Sequence, residues 1–313
     1  MIRVAAGALR DAAGRVLLAR RHDTAHQGGL WEFPGGKCEP GETIEQALQR
    51  ELHEELGVQV HTHRPLIRVM HHYPECSVLL DVHLVTQWQG EPHGREGQPL
   101  AWVLPRQLHD YPMPPADVPI VRALQLPEQY LITPPAVADA AAFLRGLENA
   151  LRQGIGLVQL RVFDLERTSL LSLAIETQKL CLAHGARLLV NGDAALARRI
   201  GAAGVHLSSR QLHQLSGRPP DIGLLAVSCH AAADLRHAEA LGADLAVLSP
   251  VLPTRSHPDA DPLGWERFAA LVDEAALPVY ALGGMHSGLL AQAWSCGAQG
   301  VAGIRGLWPQ DIG

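Results

Sequence analysis

The residues of this sequence best placed to do chemistry are carboxylates at fixed spacing. A glycine loop, Gly35-Gly36-Lys37-Cys38-Glu39-Pro40-Gly41-Glu42, is followed after seven residues by Arg50-Glu51-Leu52-His53-Glu54-Glu55-Leu56-Gly57-Val58. On a helix, Glu51 meets Glu54 and Glu55 one turn further on, so three acids share a face. Alone they repel one another. A divalent cation that prefers oxygen ligands, as magnesium does, removes the conflict. Arg50 reaches Glu54 at the same spacing, and Glu42 steadies Arg50 from the loop. The plainer reading of a Glu-rich helix is a solvated face with routine ion pairs. It is set aside because Ile44, Ala47, Leu48, Leu52 and Leu56 already form a separate apolar stripe for burial.

The elements that must position these groups are legible around them. The helix is expected from about Thr43 to Leu56, opened by Pro40-Gly41-Glu42 and closed by Gly57. Strands are expected at Val4–Leu9, Val16–Ala19, Leu79–Val85 and Ala101–Val103. Near Leu126–Glu128 the texture changes. Short apolar runs then alternate with helical segments such as Ala136–Gln153, Thr168–His184 and Ala231–Leu241. The runs are Tyr130–Thr133, Leu157–Arg161, Arg187–Asn191, Gly204–Leu207, Gly223–Ser228, Leu245–Ser249, Val279–Leu282 and Gly300–Ile304. Eight such strands suggest a small closed parallel barrel, with an open doubly wound sheet as the alternative. The expected domains are 1–126 and 127–313.

With 313 residues, 47% hydrophobic and 19% charged, the chain has material for two cores. A net charge of −6 argues against direct nucleic-acid binding, which needs clustered Lys and Arg. The five cysteines show no CxxC pair, so a reduced, cytoplasmic protein without a zinc site is expected. No apolar run approaches membrane-spanning length. His61, His63, His71 and His72 are read as surface histidines, for want of a third metal ligand. Nothing in the sequence sets the oligomeric state.

The carboxylate segment resembles the Nudix box, G-x5-E-x7-R-E-U-x-E-E-x-G-U with U aliphatic, at every specified position. That resemblance implies an α+β fold, an α/β/α sandwich, and cleavage of a nucleoside diphosphate linked to another group. It implies that Glu51, Glu54 and Glu55 hold magnesium, with manganese as the alternative ion, and that the Gly35 carbonyl completes the shell. Glu51 is also a candidate general base, and Arg50 and Glu42 orient the acids. The flanks resemble the MutT-type 8-oxo-dGTP diphosphatases in three places: Arg20-Arg21 with Trp31-Glu32-Phe33-Pro34-Gly35-Gly36-Lys37, then Trp88 through Glu96-Gly-Gln-Pro, then Pro114-Pro-Ala-Asp117. By that likeness Arg21, His26, Glu32, Phe33, Pro34, Gly35 and Asp117 contact a nucleotide substrate, and Glu96 reaches the metal. The implied role is nucleotide-pool sanitation serving DNA replication and repair. Asp117 departs from the pattern, which has Asn there. Ionised Asp only accepts hydrogen bonds, whereas Asn also donates, unless burial keeps Asp protonated.

The second half resembles thiamine phosphate synthase and its TenI-type relatives, a (β/α)8 TIM-type barrel. The matching phrases are Tyr130-Leu-Ile-Thr133, Val158-Gln-Leu-Arg161, Gly204-Val-His-Leu207, Ser249-Pro-Val-Leu-Pro-Thr254 and Leu282-Gly-Gly-Met285. Candidate groups at the strand ends are Gln159, Arg161, Asn191, Asp193, His206, Ser208, Ser228, His230, Gly283 and Gly284, with His230 as acid/base and the glycines as a phosphate grip. Phe163 and His257 stand where the family has lysines, Asn191-Gly192-Asp193 displaces one metal carboxylate, and Gln211 replaces another. Synthase activity is therefore not expected. The alternative is an enzyme of thiamine metabolism, its Nudix domain cleaving a thiamine-related pyrophosphate and its barrel acting as a thiazole tautomerase.

Overall fold

The structure, a computed structural model, describes residues 1–24, 27–73, 76–254 and 260–309. His26 and His257 lie outside them. The chain divides into two compact units, one spanning Met1–Gln125 and one beginning at Leu126.

The first unit holds two sheets. One joins β4 (Gly35–Lys37), β1 (Ile2–Leu9), β6 (Ser77–Gln89) and β5 (Gln59–His72) in that order. The other joins β3 (Trp31–Glu32), β2 (Val16–Arg20) and β7 (Leu100–Val103). β1 runs parallel to β6 and antiparallel to β4. Because side chains alternate along a strand, β1 feeds two cores. Ala5 and Leu9 pack with Ile44, Leu48, Leu52 and Leu56 of helix α1 (Ile44–Leu56). Ala6 and Ala8 pack with Phe33, Val82, Leu84 and with Ile120 and Ala123 of helix α2 (Val118–Gln125). A helix on each face gives the expected sandwich.

Helix α1 begins in a capping box. The Thr43 hydroxyl accepts from the Gln46 amide, and the Gln46 side chain accepts from the Thr43 amide. It ends at Gly57, whose φ of 72° is left-handed.

Several elements of this unit are not in the sequence reading, among them the short strands β3 and β4, the long strand β5 and helix α2. β5 contains Pro65 and irregular register at Val60/Thr62, Thr62/His63 and Pro65/Ile67, which blurs its period of two. Helix α2 follows a 3-10 turn at Pro115–Asp117 and is too short to show a clear stripe. One histidine reading is corrected. His63 is half-buried, and its Nδ1 lies 2.9 Å from Nδ1 of His83, a buried side chain on β6. The bulged strand turns His63 inward.

The second unit is a closed barrel of eight parallel strands: β8 (Gln129–Ile132), β9 (Leu157–Leu160), β10 (Arg187–Asn191), β11 (Gly204–Leu207), β12 (Leu224–Cys229), β13 (Leu245–Leu248), β14 (Val279–Leu282) and β15 (Gly300–Gly303). β15 pairs with β8 and closes it, so the open-sheet alternative is excluded. Between strands run α3 (Ala140–Arg152), α4 (Arg167–Ala183), α5 (Ala194–Ile200), α6 (Ser209–Leu212), α7 (Ala232–Ala240), α8 (Gly264–Asp273) and α9 (Leu290–Ser295). Tyr130, Leu157, Leu189, Ala226, Leu245, Val247, Tyr280 and Ala302 pack as one buried cluster of strand residues. No helix among the described residues is long and apolar enough to cross a membrane.

Candidate active sites

In the first unit the C-terminal half of α1 faces the Gly35-Gly36 strand. Arg50 is the hub. Its guanidinium pairs with Glu42 at 2.9 and 3.0 Å, with Glu51 at 2.9 Å, with Glu54 at 3.2 Å, and with the Lys37 carbonyl at 3.0 Å. The hydrogen bonds that Arg50 donates to Glu42 and Glu51 push its pKa up, and Arg50 pulls that of Glu42 down. Glu55 is outside this network. Burial raises its carboxyl to about 7, and the nearby charges of Glu32, Glu51 and Glu96 add to the shift; the Gly35 amide, donating at 3.2 Å, opposes it. The approach is close because Gly35 has no side chain. A Cβ there would lie 2.2 Å from the Ala5 carbonyl oxygen, and one at Gly36 would lie 2.3 Å from the Glu51 carboxylate.

Among the described residues no three acidic, histidine or cysteine side chains converge on one point, since Arg50 draws Glu51 and Glu54 to itself. The donor set still fits a hard divalent cation. Glu55 is a half-buried carboxyl whose ionisation the charges of Glu32, Glu51 and Glu96 further oppose, and the guanidiniums beside these acids, Arg21 on Glu32 and Arg50 on Glu51, are already engaged. Glu51, Glu54 and Glu55, with Glu96 from the loop before β7, are the groups that would hold it.

A second cluster forms the far wall of this unit's site. Arg21 pairs with Glu32, whose carboxyl burial nevertheless raises. Asp117 is 6% exposed, and burial raises its pKa to about 7, with the Glu32 charge adding and Arg21 opposing. One guanidinium thus serves two acids, and Asp117 titrates near neutrality, holding its proton below that. Tyr73, at the tip of the β5–β6 hairpin, interacts with Asp117 and Arg21 and hydrogen-bonds Gln27. Neither Tyr73 nor Gln27 is marked by sequence pattern, because both lie in connections between strands, which carry no period. Phe33 is 4% exposed, its side chain packed in the core with Val82 and Leu84.

In the second unit the C-terminal strand ends enclose a cavity of about 720 Å³. Its lining includes Gln159, Arg161, Asn191, His206, Ser228, His230, Gly283 and Gly284. No Asp, Glu or Lys is among the described residues that line it. The Nδ1–H of His230 donates to the Ser249 carbonyl at 2.8 Å, since a carbonyl only accepts, and Asp234 accepts from the His230 amide at 2.7 Å. Asp193 is committed to capping α5, accepting from the Leu196 amide at 2.8 Å. Gln211 gives its amide to the Gly192 carbonyl at 3.1 Å. The magnesium that the synthase resemblance implies therefore finds no carboxylate here among the described residues.

Comparison with known proteins agrees with both geometries. Residues 5–123 match the NUDIX domain model, and residues 129–307 match that of thiamine monophosphate synthase. The chain is 37% identical over 124 residues to the 8-oxo-dGTP diphosphatase of Escherichia coli (strain K12), covering 40% of this chain and 96% of that protein. It is 41% identical over 127 residues to the CTP pyrophosphohydrolase of the same organism, covering 39% of this chain and 90% of that protein. Over 187 residues it is 33% identical to the thiamine-phosphate synthase of Thioalkalivibrio sulfidiphilus (strain HL-EbGR7), covering 57% of this chain and 86% of that protein. The chain belongs to the Nudix family through its first unit, which makes it a Nudix pyrophosphohydrolase, and to the thiamine monophosphate synthase family through its second.

Proposed function

We propose that the first unit is a magnesium-dependent nucleoside triphosphate diphosphatase that hydrolyses 8-oxo-dGTP, or a related purine nucleotide, to the monophosphate and pyrophosphate. The observation that carries the base assignment is Asp117, buried beside the Arg21–Glu32 pair with its pKa near 7. A protonated Asp117 presents one O–H donor and one C=O acceptor. Those match O6 and the N7–H of 8-oxoguanine. Guanine offers a lone pair at N7, which faces the acceptor and is disfavoured.

A bound magnesium ion would supply charge neutralisation to the polyphosphate and polarise the attacked phosphorus. Arg50 fixes the Glu42, Glu51 and Glu54 carboxylates before substrate arrives. The proton of the attacking water goes to Glu55, in preference to Glu51, because Arg50 already occupies Glu51 whereas, among the described residues, the Glu55 carboxylate accepts only from the Gly35 amide. Water oxygen bonds to phosphorus as the bond to the pyrophosphate leaving group breaks.

The Nudix relative named for CTP supports a second reading, because the N4 amine and N3 of cytosine also fit a donor/acceptor pair. The fused barrel keeps a thiamine-related pyrophosphate in the comparison. Steady-state kcat/KM with magnesium for 8-oxo-dGTP, dGTP, CTP and thiamine diphosphate separates these readings. Preference for 8-oxo-dGTP by about tenfold or more over the others is expected. Parity with dGTP, or preference for either non-purine, overturns the assignment. For the barrel we propose that synthase activity is absent, Phe163, Asp193 and Gln211 having removed the lysine and the metal carboxylates. Thiamine phosphate formation by the purified chain would refute that.

A further inference from the structure

A helix leaves its last carbonyls without partners of its own, and at the end of α1 most of them are taken up by the loop between β6 and β7. The Gly57 amide turns back onto the His53 carbonyl at 3.0 Å. The other donors come from the loop. The His93 amide donates to the Leu56 carbonyl at 3.2 Å, the Arg95 amide to the Glu55 carbonyl at 3.0 Å, and the Arg95 guanidinium to the His53 carbonyl at 3.0 Å. A cation is also favoured at this end of a helix by the helix dipole. The loop is tightly folded on itself. The Gly97 amide donates to the Gly94 carbonyl at 3.0 Å, and a Cβ at Gly94 would lie 2.1 Å from the Gln98 carbonyl oxygen.

One side chain of this loop holds the backbone of two acids of the metal site at once. Nε2 of Gln98 donates to the Glu55 carbonyl at 3.2 Å, and Oε1 of Gln98 accepts from the Glu96 amide at 2.9 Å. The carboxamide can face only one way, because a carbonyl accepts and a backbone N–H donates. Gln98 is half-buried and Glu96 is exposed. Among the described residues no cation pairs with the Glu96 carboxylate, so the loop backbone sets where it stands. It stands near enough for its charge to be felt at Glu55.

We propose that Gln98 is a positioning residue for the pyrophosphohydrolase reaction: its carboxamide ties the backbone of Glu96 to that of Glu55, so that the loop carboxylate is set at the end of α1 before metal and substrate arrive. The inference rests on the reading that Glu55 and Glu96 hold the metal. A loop without this tie has to be ordered during each turnover, and that cost falls on kcat. A loop that merely capped α1 would lose stability, and not turnover, when Gln98 is removed.

The test compares the full chain with Gln98→Ala, Glu96→Gln and the double variant. Hydrogen exchange of the metal-free proteins by NMR reads the tie directly. The Glu96 amide should be protected in the parent and exchange about tenfold faster or more in Gln98→Ala, with the Leu48 and Leu52 amides of α1 unchanged as the control for folding. Kinetics use magnesium and whichever of 8-oxo-dGTP, dGTP and CTP is turned over fastest. Gln98→Ala should lower kcat about fivefold or more and move KM by less than about twofold. In the Glu96→Gln background the same change should cost less than about twofold, because the group that Gln98 positions is already gone. An unprotected Glu96 amide in the parent, an unchanged kcat in Gln98→Ala, or losses that simply add in the double variant overturns the proposal. If Glu96→Gln alone keeps kcat within about twofold of the parent, the metal-ligand reading of Glu96 fails and takes the proposal with it. The exchange rates then tell that failure from the absence of the tie.

Discussion

Asp117 combines a cost to folding with the role in recognition proposed for it, and the two can be measured separately. Its pKa of about 7 in the folded chain stands above the ordinary 3.8. Between those values the folded chain holds a proton that the unfolded chain has released. Stability is therefore lost as pH rises from about 4 to 7, and the full cost persists above that range. Asp117→Asn removes the ionisable group with little change in volume. The thermal transition of the first unit should rise at pH 8, by an amount of order 1–4 kcal/mol in stability, with the gain vanishing toward pH 4. No gain at pH 8 would mean that the carboxylate is solvated when the protein folds. The same substitution fixes the donor/acceptor pair at every pH. The parent's kcat/KM ratio of 8-oxo-dGTP to dGTP should fall from pH 6 to pH 8 as Asp117 ionises, while the variant's stays flat and exceeds the parent's several-fold at pH 8. Parallel profiles would remove Asp117 from the base site. For the acids of α1, Glu54→Gln and Glu55→Gln should each cost more than about tenfold in kcat/KM, roughly 1.4 kcal/mol, with the thermal transition retained. Activity within that limit counts against the metal-site assignment.

The same site can be probed through the strand that supports it. β4 runs so close beneath α1 that a methyl group at Gly36 would meet the Glu51 carboxylate at 2.3 Å, so Gly36→Ala must displace either the strand or that side chain. Because the carboxylate is the movable partner, we expect kcat/KM to fall by about tenfold or more while the thermal transition shifts only slightly. Equal losses of activity and stability would instead show the strand giving way. This contact also marks what a sequence can reveal. Spacing located α1, its closing Gly57 and the Arg50 network, because a helix turns period into contact between residues three and four apart. It located the barrel strands to within a residue or so, because each is a short apolar run bounded by turns. It missed β5, where Pro65 and the bulges break alternation, and it missed Tyr73 beside Asp117, which only the pairing of β5 with β6 brings there. The hydrogen-bonded line from Tyr130 through His206 to Ser228 was likewise hidden. Its members come from three strands, and pairings across a barrel interior leave no mark on local pattern.

Each unit carries its own cores, and this decides where the chain can be cut. Helix α2 closes the first unit, with Ile120 and Ala123 buried against Phe33, Val82 and Leu84, and the Gln125 amide donating to the Pro105 carbonyl at 2.9 Å. Leu126 belongs to the other side of the boundary. It packs with Tyr130 and Tyr280, and its carbonyl accepts from the Gln299 amide at 3.1 Å. A fragment ending at Gln125 therefore keeps every described partner of Arg50, Glu55 and Asp117, and its length is ample for an independent core. Its kcat/KM toward the preferred nucleotide should lie within about twofold of the full chain, a difference of roughly 0.4 kcal/mol in barrier. The complementary fragment beginning at Leu126 should unfold in a single transition, since all eight strands and the Gln299 contact remain with it. A fragment 1–125 that is folded and binds magnesium but does not turn over would show that the barrel completes the Nudix site. That result would also bear on why the two families share one chain, because independent units gain from fusion only shared expression and proximity, whereas a completed site makes each unit a condition of the other's activity.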